Sequence, residues 1–314
     1  MATISQNNQG LIEEIQRLKK EKKAILLCHY YQAPEIQAVA DFLGDSLELS
    51  RKAKDNDAEI ILFAGVHFMA ETASILSPDK KVLIPMLGAG CTLADSITAS
   101  DLRKWKEAHP DGLVVSYVNT TAEVKAETDY CVTSANAVKI VSQLPEDRPI
   151  LFCPDQYLGR YVTAVTGRKM ELWQGACYIH KEMDGDLIRE TLNRYPAPTE
   201  ILIHPETLAA SDPEILNNER CIIGSTSTII KRPGISNQVT YVVATETGII
   251  TELERLYPDK TFVPLVQGCE CRYMRKVTLE NVLEALENER YEVKVPKEIQ
   301  RRALLPIERM LAMS

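Results

Sequence analysis

Eight cysteines are spread along the 314-residue chain, and three of them share a setting. Cys91 ends KVLIPMLGAGC, Cys177 ends MELWQGAC and Cys271 ends TFVPLVQGCEC, so each closes a glycine-containing loop behind a short apolar run. Thiolates from three separate loops suit a metal centre that keeps one coordination position open. A [4Fe–4S] cube held by three cysteines leaves one iron free to act as a Lewis acid. Zinc on three thiolates is the competing chemistry. A buried, inert thiol is the common fate of a single cysteine in a reducing compartment, and three at matched stations weaken that reading. Cys269 and Cys271 form a C-x-C pair, so on spacing alone either can be the third ligand. Cys28, Cys131, Cys153 and Cys221 sit inside apolar runs and read as core.

The elements that must carry these loops are short and apolar. AILLCHY from Ala24, EIILFAG from Glu59, KVLIPM from Lys81, LVVSYV from Leu113, DYCVTS from Asp129 and PILFCP from Pro149 all read as strands. EILIHP from Glu200, RCIIGST from Arg220, YVVATE from Tyr241 and TFVPLV from Thr261 continue the series. Their unbroken hydrophobicity suits parallel strands covered on both faces by helices. The runs also repeat. AILLCHYYQAPEI stacks on LVVSYVNTTAEV and EILIHPETLAA; EIILFAGVHFMAETA stacks on DYCVTSANAVKIV and RCIIGSTSTII; the three cysteine loops stack on one another. Three units of about 85–90 residues therefore fit better than the two of about 150 that length suggests.

The expected architecture is α/β: three similar α/β/α units with short parallel sheets around a pseudo-threefold axis. The units run over 1–110 with an N-terminal helix, 111–196 and 197–290, and a helical segment at 291–314 packs on the body. Ligands of parallel sheets bind beyond the carboxyl ends of the strands. Those ends, turned inward, would bring Cys91, Cys177 and Cys271 into one central cavity. GLIEEIQRLKKEKK, apolar at Leu11, Ile12, Ile15 and Leu18, reads as an amphipathic packing helix.

Composition excludes several classes. With 45% hydrophobic and 25% charged residues the chain has ample material for a core and is not a disordered polymer. A net charge of −8 without a basic patch argues against a nucleic-acid partner. No run approaches the ~20 apolar residues that cross a bilayer, and MATISQNNQG lacks the apolar centre of a secretory signal. The expectation is a cytoplasmic protein without membrane attachment.

CHYYQAPEIQAVADFLGDSLELS, GVHFMAETASILSPDKKVLIP, SYVNTTAEVKAETDYCVTSANAV, the GACYIH around Cys177 and the C-x-x-M-R-K-V-T-L beginning at Cys271 resemble the quinolinate synthase (NadA) family. The resemblance implies three α/β domains around a cavity with an oxygen-sensitive [4Fe–4S] cluster. It implies condensation of iminoaspartate with dihydroxyacetone phosphate to quinolinate, phosphate and two waters, within NAD biosynthesis. Iminoaspartate would come from an aspartate-oxidising enzyme. The implied ligands are Cys91, Cys177 and Cys271, the last preferred over Cys269 because the family's ligand stands three residues before the methionine, here Met274.

Substrate groups carried over by motif are His29 and Tyr31 of CHYYQ, Ser46 of GDS, Tyr117, Val118 and Asn119 of YVN, and Ser134 of TSAN. His204, Pro205 and Glu206 of HPE and Thr226 of STS complete them. Glu206 is the expected general base, with a pKa raised by burial; Tyr31 assists as acid or base and His204 is the third catalytic candidate. His180 reads as an outer partner of the ligands, and His67 and His109 as peripheral. Thr207 stands where the family often has cysteine, and LAASD intervenes before Pro213. Two other readings remain: an aconitase-like Fe–S hydro-lyase and a non-enzymatic Fe–S sensor. Polar residues aimed at one cavity favour an enzyme.

Overall fold

The computed structural model describes residues 6–314; the first five residues of MATISQNNQG, on which the reading of a missing signal partly rested, lie outside the described residues. The first sheet holds β1 (Ala24–His29), β2 (Phe42–Gly44), β3 (Ile60–Ala64) and β4 (Lys81–Leu83). The second holds β5 (Leu113–Tyr117), β6 (Tyr130–Val132), β7 (Ile150–Cys153) and β8 (Glu171–Leu172). The third holds β9 (Glu200–Ile203), β10 (Cys221–Ile223), β11 (Thr240–Ala244) and β12 (Thr261–Pro264). Each sheet is parallel throughout and has the same strand order, β2-β1-β3-β4, β6-β5-β7-β8 and β10-β9-β11-β12. The α/β architecture and its threefold repetition are as the sequence implied.

One stacking in the sequence reading is corrected. It matched β3 with β6 and β10, whereas the strand order makes β2 the counterpart of β6 and β10, and β3 that of β7 and β11. The error has a physical source. β2 is three residues, FLG, only half-buried at Phe42 and Leu43, and its apolar signal is too short to stand out. Its place is fixed by pairing, with Leu27 opposite Phe42 and His29 opposite Gly44. The longer strands β3, β5, β7 and β9 are buried at every position, which is why they read as continuous apolar runs.

Helices start where the strands end. Asp45 caps Ser46–Lys54 in a capping box with Glu48, Asp155 caps Gln156–Thr166, and Ser225 caps Thr226–Ile235. Each cap satisfies backbone N–H groups that would otherwise be orphaned beside the carboxyl edge of the sheet. The helix Gln6–Glu21 packs on Leu279–Asn288, with Ile15 and Leu18 buried. After Leu279–Asn288 the chain adds to the first sheet: Ile84 N donates to Tyr291 O and Val293 N to Val82 O. The helix Lys297–Met313 lies across Ala122–Lys125 and β6 and also touches His67–Leu76, tying the first two sheets together. Its Ala303, Ile307 and Met310 are buried, and Ile307→Ala would cost about 2–5 kcal/mol as a cavity in that seam.

Candidate active site

A single cavity is lined from all three sheets. The ends of the first strands supply His29 and Tyr31, Tyr117 and Asn119, and His204 and Glu206. Beyond the second strands, the helix starts supply Ser46 and Thr226, and the turn after β6 supplies Ser134. The loops after the fourth strands supply Cys91, Cys177 and Cys271. Val118 and Pro205, between lining residues, are not on the wall; Val118 is buried in the main core and Pro205 is buried.

Backbone geometry sets the histidines. Tyr31 N donates to His29 Nδ1 at 3.2 Å and Glu206 N to His204 Nδ1 at 3.4 Å, so in both H-x-Y and H-x-E the proton sits on Nε2. Burial lowers His29 to about 4 and His204 to about 3, so both rings are neutral donors near pH 7. His180 stacks on His204 with centroids 4.7 Å apart. Expected from the sequence to be an outer partner of the cysteine ligands, it also lines the cavity.

Glu206 departs from its sequence expectation. Burial alone would raise it, but His180 Nδ1 donates to Oε2 at 3.1 Å and Tyr117 Oη to Oε1 at 2.5 Å. These partners hold the carboxyl below its ordinary range, so it is an ionised acceptor rather than a poised acid. His180 Nε2 pairs with Thr245 Oγ1 at 2.8 Å, and Thr245 Oγ1 pairs with Tyr31 Oη at 2.6 Å. A continuous hydrogen-bonded chain Tyr31–Thr245–His180–Glu206 results. Burial pushes Tyr31 and Tyr117 well above the usual phenol range, so both remain protonated.

The thiols are close enough to feel one another's charge. Burial raises Cys91 to about 12 and Cys177 well above its ordinary value, and each is driven further up by a second thiol and by Glu206. Three thiolates here therefore require a compensating positive charge, which a metal centre supplies. Cys269 is not on the wall; its thiol approaches Ile179 O at 3.8 Å. Cys28, Cys131, Cys153 and Cys221 are buried away from it. Among the described residues Asn119 Oδ1 is buried without a hydrogen-bond partner, an orphaned acceptor at the cavity wall that a ligand donor would satisfy. A second donor group is present: ligand atoms of Cys177, His180 and Glu206 lie within 4.8 Å of one another. His67 is half-buried beside Glu71 and His109 stacks on Trp105, both off the cavity.

The model of the family described as NadA, quinolinate synthetase A protein, matches residues 13–312. The chain belongs to the quinolinate synthase family. It is 48% identical over 304 residues to the quinolinate synthase of Thermus thermophilus, covering 97% of each chain. It is 47% identical over 305 residues to that of Pyrobaculum aerophilum (96% of this chain, 98% of the relative) and 49% over 311 residues to that of Synechocystis (98% and 96%). The quinolinate synthase match thus spans all three sheets and every cavity-lining residue. Among the described residues no helix is long and apolar enough to cross a membrane.

Proposed function

We propose that this quinolinate synthase condenses iminoaspartate with dihydroxyacetone phosphate at the central cavity, with a [4Fe–4S] cluster on Cys91, Cys177 and Cys271. The observation that carries the reading is the recurrence of one cysteine at the same loop of each unit, all three on one wall. When bound, the cluster supplies a Lewis-acidic iron with an open position. The remaining work falls to the chain. Nε2–H of His29 and His204 donate to substrate oxygens. Ser46 and Thr226, first residues of capped helices, and Ser134 receive carboxylate or phosphate, where helix N-termini favour anions.

Glu206 takes the proton released on condensation or dehydration. Its low basicity means that the substrate proton must be acidified by neighbouring positive charge, and its Tyr117 and His180 contacts hold the acceptor oxygens in place. Tyr31 is the complementary donor, joined to Glu206 by hydrogen bonds through Thr245 and His180. Substrate supply from an aspartate-oxidising reaction and work in the cytoplasm belong to the same proposal.

Anaerobic purification tests it. The expected protein is brown, holds about four irons and four sulfides per chain and makes quinolinate from the two substrates. Cys91→Ser, Cys177→Ser and Cys271→Ser each lose the iron and the activity, while Cys28→Ser keeps both. A colourless chain with one zinc would favour the second reading, a single cation on Cys177, His180 and Glu206, whose compact donor set speaks for it.

A further inference from the structure

We propose that Asp155 and Glu246 are positioning residues for Cys177 and Cys271, each gripping the cysteine by its backbone rather than by its sulfur. The three cysteine loops share one tether. The amide three residues beyond the third strand donates to the carbonyl two residues before the cysteine: His67 N to Ala89 O at 2.8 Å, Gln156 N to Gly175 O at 2.9 Å and Thr247 N to Cys269 O at 3.0 Å. One residue earlier stand Val66, Asp155 and Glu246. In the second and third units that side chain reaches the cysteine itself. Cys177 N donates to Asp155 Oδ2 at 3.2 Å and Cys271 N to Glu246 Oε1 at 3.0 Å. Val66 offers nothing to Cys91. Both carboxylates are fully buried.

The grips are braced. Asp155 Oδ1 accepts from Tyr157 N and Leu158 N at 2.9 and 2.8 Å, so the same side chain caps its helix. Glu246 Oε2 accepts from Gly248 N at 2.6 Å, and Arg275 Nη2 sits 3.2 Å from Oε1 while its Nη1 donates to Tyr31 O at 2.8 Å. Glycine is required at 175, where a Cβ would lie 2.4 Å from Pro154 O. Fixing the amide fixes the Cα–Cβ direction, so these two thiols are held towards the cavity, whereas among the described residues no side chain grips the Cys91 amide. Partners that orient a ligand in this way change metal retention by about 10–100-fold when removed.

Asp155→Asn is the selective probe. The amide oxygen keeps the helix cap while its NH2 opposes the Cys177 N–H. Glu246→Gln likewise must set its NH2 against Cys271 N and Arg275 or against Gly248 N. Thiol alkylation of the metal-free chain, read residue by residue by mass spectrometry, reports the loops without any cluster. The expected result is a severalfold faster reaction at Cys177 in Asp155→Asn and at Cys271 in Glu246→Gln, with Cys91 unchanged in both. The reconstituted variants should release iron to a chelator about 10–100-fold faster; Asp184→Asn, a helix cap remote from the cavity, should match the parent chain. Unaltered rates, or an equal rise at all three cysteines, would overturn the proposal. Should Asp155→Asn not fold, Glu246→Gln decides by the same comparison of Cys271 with Cys91. The chelator arm rests on the cluster reading, whereas the alkylation arm does not, so a colourless protein sinks that reading and leaves the positioning role to be judged by itself.

Discussion

The ends of β1 and β9 have the same backbone geometry with different chemistry. Each places a histidine and, two residues on, a polar side chain on the cavity wall, and each locks its histidine by the amide of that second residue. The third residue is where they part: Tyr31 is a phenol held protonated by burial, Glu206 a carboxylate held ionised by Tyr117 and His180. The corresponding end of β5, Tyr117-Val118-Asn119, turns its tyrosine onto Glu206 and leaves Asn119 with an unused acceptor. Repetition therefore supplies positions, and substitution within the repeat supplies a protonated phenol, an ionised carboxylate and an unpaired amide oxygen separately.

Replacing the base should expose the asymmetry most strongly. In Glu206→Gln we expect kcat to fall about 100- to 10,000-fold while the iron content stays that of the parent chain, because the side chain is not among the three thiols. Near-normal turnover would remove Glu206 from the reaction and make the β1 and β9 ends alike. Thr245→Val tests the link between them and should act more mildly. It deletes the hydroxyl between Tyr31 and His180 at almost constant volume, and about a tenfold loss in kcat with little change in KM is expected for a weakened proton path. A loss confined to KM would mean that Thr245 binds substrate and carries no proton.

Much of this was legible in the sequence because parallel strands buried on both faces leave unbroken apolar runs, and the polar residues that follow them fall at the ligand-binding edge. Hence matched loops singled out Cys91, Cys177 and the Cys269–Cys271 pair, while the choice of Cys271 came from the family resemblance. The stacking of β3 on β6 failed because β2 is too short for a signal and strand pairing is a non-local fact. The electrostatics failed for a related reason. Glu206 looks like a burial-raised acid from its own segment, yet its pKa is set by Tyr117, 89 residues away, and His180, 26 away. Asp155 and Glu246 were overlooked because a carboxylate after a strand reads as an ordinary helix-start acid; only the position of the cysteine amides marks them.

The smallest effect tests whether the two histidines are truly alike. Burial holds His29 near 4 and His204 near 3, against an ordinary 6.5. Between those folded values and 6.5 the unfolded chain binds protons that the folded chain refuses, so stability rises with pH through this window. It is full above about pH 6.5 and is lost on acidification, by up to about 1.4 kcal/mol per pH unit for each histidine. Glu206, depressed from the carboxylate range, adds its own loss only below about pH 4.5, outside the upper part of the window. Glu246, raised by burial to about 7, and Asp155, raised by burial well above its ordinary value, run the opposite way over this window, so the histidine contribution is read as a difference between chains in urea-unfolding midpoints at about pH 7, 6 and 5. In His29→Gln, whose amide can still accept from Tyr31 N, stability relative to the parent chain should rise by up to about 1.4 kcal/mol from pH 6 to pH 5. No change in that difference would show that His29 already takes its proton in the folded state. The ends of β1 and β9 would then differ in their histidines as well as in the residue two places on.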